Sequence, residues 1–368
     1  MVDSNSRVGK SLLNARVNLI FYFLSLLLAF FSRKVFLDNL GVEFIGLTTT
    51  LQNLLGFLNL ADLGIGASIG FVLYKPLFDR DEKKLNEIIS VLGYLYNRIG
   101  FVILGAGIIL SCFLPMIFKD ETISIGVIYA VYYGFLVSSL IGYFINYRQT
   151  LLGADQRNYI VTGYFQTATI IKTIIQMIVA IYWCNFYVWI AIELSFNILY
   201  AFVLNYKIDK QYPWLKSSVA LGKQCYGDYK IIITKAKQMF VHVLAGMGRN
   251  QLLPFLVYAF GNLTIVAYYG NYVIITSKVQ LLFDQFLNST GAGVGNLIAE
   301  GNKEKTMEVY WELLFVRFAV AAFIVFCLFV LIDPFITIWL GAKYLLPKYI
   351  ICILLLNVFL GQTRGTTE

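Results

Sequence analysis

Residues 44–74 read FIGLTTTLQNLLGFLNLADLGIGASIGFVLY, and in these 31 residues Asp62 is the only charge. About 20 apolar residues cross the hydrocarbon layer of a bilayer, so the stretch is long enough to span one. As a single helix it would reach about 46 Å, more than a span needs, and so it must tilt, bend or protrude. The weak turn follows Asp62, where Gly64, Gly66 and Gly70 lower helix stability and let a neighbour approach closely. A carboxylate beside such a hinge is what a moving transport helix requires, and a long helix with a small-residue packing face is the competing reading.

The whole chain has the same character. Hydrophobic residues make up 59% and charged residues 14% of its 368 residues, with a mean hydropathy of +0.72. A soluble domain carries about 25% charged residues, so the composition is that of an all-α polytopic membrane protein. Apolar segments recur at about 11–31, 44–74, 86–113, 123–147, 159–183, 188–206, 231–259, 264–298, 307–332 and 344–360, about ten spans in all. The polar N-terminus is followed by no small-residue cleavage site, which excludes a cleavable signal.

Charge orients the bundle. The N-terminus and the connections after even-numbered spans hold 19 Lys and Arg, against 5 on the opposite side. The positive-inside rule puts the N-terminus and the basic connection after span six in the cytoplasm. A net charge of +8 spread over such loops suggests no nucleic-acid partner. The five cysteines form no C-x-x-C pair and the only histidine is His242, so no metal site is expected. A P-loop, a dinucleotide fingerprint and a hydrolase triad are missing from the sequence; no catalytic residues and no cofactor are assigned, and the chain reads as a non-enzyme.

The sequence also repeats. Lys10 and Lys230, like Gly41 and Gly261, stand 220 residues apart; Arg98 and Arg317, like Pro115 and Pro334, stand 219 apart. Six spans separate equivalent points, which predicts two pseudo-symmetric lobes in a parallel repeat. The expected division is a six-helix lobe at 1–206, a basic cytoplasmic connection at 207–230, and a second lobe at 231–368. Only four helices fall in that second lobe, so it is expected to be incomplete.

Five cations lie well inside predicted spans, away from their cytoplasmic ends: Arg98, Lys172, Arg249, Lys278 and Arg317. The acidic residues there are Asp62, Glu193 and Asp284, with Glu312 nearer an interface. A charge at the bilayer centre costs about 2.5–3.5 kcal/mol on insertion scales, so these side chains should face the bundle interior or a wet cavity. For any one cation, an ion pair that fixes packing is a sufficient explanation. The excess of cations as a set points to a cavity that binds an anion, with Arg able to hold phosphate through two parallel bonds. Asp62 is the candidate coupling group, for a proton or sodium ion. Among the many aromatic residues, Tyr132, Tyr133 and Tyr269 are candidates for stacking on sugars.

Three blocks carry a family resemblance: NLADLGIGASIGFVLYKPLFDRDEKKLNEII, GVGNLIAEGNKEKTMEVYWELLF and PFITIWLGAKYLLP. Together with FFSRKVFLDNLGVEFIGL they resemble bacterial polysaccharide-biosynthesis flippases. That family belongs to the multidrug/oligosaccharidyl-lipid/polysaccharide exporter superfamily. The resemblance implies two helical lobes around a cavity. It implies movement of a polyprenyl-diphosphate-linked oligosaccharide, an O-antigen or capsule repeat unit, between leaflets of the bacterial inner membrane. Its implied partners are that anionic lipid-linked sugar, the lipid bilayer and other polysaccharide-assembly proteins. A multidrug antiporter of the same superfamily is the alternative within the fold. A membrane polysaccharide polymerase or glycosyltransferase is the alternative of another class.

Overall fold

The apolar runs form helices because the bilayer leaves a backbone amide no partner but its own carbonyls. The computed structural model describes residues 7–58, 65–119, 121–238, 255–288 and 303–363, and among these no strand occurs. The helices are α1 (Arg7–Asn39), α2 (Val42–Leu58), α3 (Ile65–Asp79), α4 (Glu82–Ser111), the one-turn α5 (Leu114–Ile117) and α6 (Ile125–Phe144). They continue with the short α7 (Gln149–Ala154), then α8 (Asn158–Tyr182), α9 (Phe186–Gln211), α10 (Val219–Cys225), α11 (Leu263–Asn288), α12 (Lys303–Trp339) and α13 (Lys348–Thr363). Residues 231–238 and 255–259 are helical as well.

Six of the described helices are long and apolar enough to cross a bilayer singly, within α1, α4, α6, α8, α9 and α12. The 44–74 stretch is represented by α2 and α3. The turn expected to bend it, with Asp62 and Gly64, lies outside the described residues, as do His242 and Arg249. Together the long apolar helices make the chain a polytopic helical membrane protein.

Helix ends follow local chemistry. The sharp turn between α1 and α2 needs Gly41, whose φ of +86° is open to glycine and strained for other residues. Asp81 caps α4 by accepting the Lys84 amide at 3.1 Å, and this bond holds its carboxyl below the usual carboxylate range. Asn185 caps α9 by accepting the amides of Tyr187 and Val188, and Asn262 accepts that of Ile265 at the start of α11.

The chain divides into two compact units, Met1–Val266 and Ala267–Glu368, with the division inside α11. In the first unit α1 packs on α8, α8 on α9, α9 on α6 and α6 on α4, a continuous succession of helix pairs. Connections that were expected on one side are gathered at one end. Asn14 of α1 accepts the Tyr159 amide at 2.6 Å and donates to the Gln156 carbonyl at 2.9 Å. The turn from α1 to α2 meets Thr122 and Phe186 at the other end. At that end Gly46 of α2 lies so close to Leu263 that a Cβ would sit 2.0 Å from the Leu263 carbonyl oxygen.

The basic connection is an element of the first unit, packed against the foot of α4. Asn86 accepts the Lys216 amide at 2.6 Å and donates to the Trp214 carbonyl at 3.1 Å. Ser90 accepts the Ser218 amide at 3.0 Å, and Tyr229 donates to Glu87 at 2.8 Å. At Gly222 the backbone of α10 touches that of α4, where a Cβ would lie 1.9 Å from the Ser90 carbonyl oxygen. Tyr212 donates to Asp155, and Arg148 reaches Asp209. Leu215 and Ile232 are buried in the same cluster as Leu85, Ile89, Leu152 and Leu204. Each such side chain withdrawn from water contributes about 1.5–3 kcal/mol.

The second unit has its own polar knot. Tyr272 of α11 donates to Asp333 of α12 at 3.0 Å and accepts the Leu346 amide at 3.1 Å, while Lys348 binds the other oxygen of Asp333. The paired prolines of the sequence repeat behave differently. Pro115 opens the new helix α5 after α4 has ended, whereas Pro334 lies inside the unbroken α12. The first turn of a helix has no use for the proline amide, and an interior one sacrifices a bond.

Candidate functional site

The cations singled out in the spans fall into different environments. Arg98 is the seventeenth residue of the thirty in α4, near the middle of the span. Its side chain is exposed, with the guanidinium 5.5 Å from the ring centre of Tyr94 one turn earlier. Phe101, Val102 and Ile109 continue an exposed stripe along the same helix. A guanidinium cannot be left bare in hydrocarbon, and water or an anion has to meet it. The aromatic face beneath it supplies only part of that solvation.

Lys172 is held very differently. Its ammonium lies 2.6 Å from Glu193, and the two side chains are only 14% and 13% exposed. Gln176, one turn along α8, donates to the second oxygen of Glu193 at 3.1 Å and to the Trp189 carbonyl at 3.2 Å. Asn197, one turn along α9, donates to Glu193 at 3.2 Å and to Ser138 of α6 at 3.3 Å. The carboxylate thus receives three donors and its charge is matched by the one lysine. For Lys172 the geometry is that of a packing ion pair joining α6, α8 and α9.

In the second unit Arg317 of α12 is 7% exposed and Lys278 of α11 is half-buried. Arg98 and Arg317, equivalent in the repeat, therefore differ in burial. Gly66 and Gly70 lie in α3, where a Cβ on Gly66 would meet the Tyr96 hydroxyl at 2.8 Å and one on Gly70 would meet nothing. Asp62, Gly64 and Arg249 lie outside the described residues, so of the expected hinge only the glycines in α3 are described.

Of the tyrosines considered for sugars, Tyr132 is fully buried and donates to the Gly107 carbonyl at 2.7 Å, and Tyr269 is buried too. Tyr133 is partly exposed, 2.9 Å from Ser111, with Tyr129 stacked beside it. The Gln176–Asn197 pair of donors escaped the sequence reading. Its signal was present: Lys172 with Gln176, and Glu193 with Asn197, are polar pairs four residues apart on otherwise apolar helices, and such pairs share a face.

No protein-family model matches the chain, and no curated protein does. A solved structure does: "Inward-facing conformation of a multidrug resistance MATE family transporter of the MOP superfamily". The two agree with a TM-score of 0.57 at 13% sequence identity, over 97% of this chain and 84% of that one. At that identity the likeness is one of fold, and the fold is that of a helical, polytopic membrane protein.

Proposed function

We propose that the chain is a flippase that carries a polyprenyl-diphosphate-linked oligosaccharide across the bacterial inner membrane by alternating access, with its N-terminus in the cytoplasm. The observation that carries the reading is Arg98, a permanent cation exposed at mid-span, whose solvation beyond the Tyr94 ring calls for water or an anionic cargo. The diphosphate of a lipid-linked sugar is such a cargo, and a stripe of apolar residues beside Arg98 suits the lipid that carries it. The likeness in fold to a transporter supports transport in place of catalysis. Asp62 and a proton or sodium ion are the proposed coupling pair, with Arg317, Lys278 and Arg249 as further cavity cations.

A second reading is a multidrug antiporter taking cationic compounds. It is favoured by the ion pair of Lys172 with Glu193, which removes one cation from the excess, and by the name of the structural neighbour. Vesicles containing the purified chain separate the two. The flippase should translocate a fluorescent lipid-diphosphate sugar, with Arg98→Lys partly active and Arg98→Gln slowed tenfold or more, the loss of about 1.5 kcal/mol for a charged hydrogen bond. An unchanged rate in Arg98→Gln, with the protein folded, refutes the role of Arg98. Efflux of a cationic dye without movement of the lipid-linked sugar refutes the flippase.

A further inference from the structure

Away from the candidate site, α8 and α9 leave a groove of about 400 Å³ between them, lined by Tyr159, Ile160, Gly163, Tyr164, Thr167, Lys207 and Gln211. It begins at the first turn of α8 and the last turns of α9. That is the end of the first unit where the basic connection docks, and the end that the distribution of Lys and Arg assigns to the cytoplasm. From Tyr159 to Thr167 it follows α8 for eight residues, about 12 Å into the span.

The groove is graded along its length. One turn in from Gln211 at the end of α9 stands Lys207, half-buried and in no ion pair among the described residues, with the exposed Lys210 between them in sequence. Tyr159 and Tyr164 flank it, the residue type that settles at the level of lipid headgroups. Gly163 lines it too, and a Cβ there would meet nothing within 4 Å. A cation at the headgroup level above an apolar channel is complementary to a phosphate that bears a hydrocarbon tail. We propose that this groove is a binding site for an anionic glycerophospholipid, with its phosphate against Lys207 and an acyl chain lying along Gly163. The lipid fills the gap between α8 and α9 and is a structural partner of the first unit, distinct from the cargo.

Native mass spectrometry of the full chain in detergent, offered phosphatidylglycerol or phosphatidylethanolamine, tests the assignment. The wild type should retain phosphatidylglycerol in preference. Lys207→Ala should weaken that retention about fivefold, the attraction of one basic residue to an anionic lipid surface. Gly163→Leu should fill the channel and abolish retention, and thermal melting of the same sample shows whether it folds. Lys223→Ala, an equal loss of charge on the exposed face of α10, should leave retention unchanged. Retention as strong in Lys207→Ala as in the wild type, or equally weakened in Lys223→Ala, overturns the proposal. So does competition by glycerol 3-phosphate, which would make the site one for free phosphates. Displacement of the phospholipid by an equal amount of a polyprenyl diphosphate would give the groove to the cargo, and overturns it too.

Discussion

Replacing Gly222 with alanine should release the basic connection from the first unit. The added Cβ would lie 1.9 Å from the Ser90 carbonyl oxygen and 2.4 Å from its carbon, and both neighbours are backbone atoms that cannot swing aside. Carbon and oxygen need about 3.3 Å, so α10 must retreat by roughly 1.4 Å. The Ser218 amide, now 3.0 Å from Ser90, then leaves hydrogen-bond range, and the two bonds of Asn86 to Trp214 and Lys216 leave with it. Three such bonds are worth about 0.5–1.5 kcal/mol each, or about 1.5–4.5 kcal/mol together. The open form of the connection should therefore rise roughly ten- to a thousandfold. Hydrogen exchange followed by mass spectrometry over residues 212–226 reads this directly. Gly227→Ala is the control, because a Cβ there meets nothing within 4 Å. If Gly222→Ala exchanges at the wild-type rate, the backbone contact with Ser90 does not hold the connection.

Further outcomes follow from the polar pairs. Glu193→Gln should cost the first unit about 3–5 kcal/mol by leaving the Lys172 ammonium buried without its counter-charge, and Lys172→Met with Glu193→Leu should recover most of the loss; thermal melting in detergent compares them. Tyr272→Phe should cost the second unit about 1–3 kcal/mol, because both Asp333 and the Leu346 amide lose a partner, again measured by melting. Burial, followed by the bond to Glu87, pushes the Tyr229 hydroxyl above the ordinary phenol range, as burial and Asp155 do for Tyr212. A phenol raised in the folded state stabilises it fully below its unfolded value near pH 10 and loses that contribution as pH rises through the folded value, so the connection should come loose only in strong alkali. Tyr229→Phe should blunt that alkaline transition, followed by phenolate absorbance; an identical transition in the variant would exclude Tyr229 from it.

The bilayer makes much of this architecture legible from sequence, since a helix that must hide its backbone writes its length as an apolar run. The run at 159–183 is α8 at Asn158–Tyr182, and that at 123–147 is α6 at Ile125–Phe144. Residues 207–230 were harder, because a basic composition describes a solvated link as well as a docked one. What docks them is Asn86, Ser90 and Gly222, small or polar residues about 130 positions apart that have no periodicity to reveal them. The charges within the spans were legible from sequence, and their pairing was not. Counting cations in spans found Lys172, and only the packing of α8 on α9 shows that Glu193 already neutralises it. Among the described residues Arg98 is in no ion pair, which is why the anionic-cargo reading rests on it.

The contact of Gly46 with Leu263 also sets a clock. The two positions are 217 residues apart, and a ribosome adding about 5–20 residues per second takes roughly 10–40 s between them. Throughout that interval α2 is already synthesised while its partner is not, so its glycine face has to be kept by lipid or by the insertion machinery. Gly46 suits that wait: it has no side chain of its own to hold a wrong neighbour, and it accepts the right one when the backbone of Leu263 arrives. Late synthesis of residue 263, in this sense, comes close to the end of building the first unit.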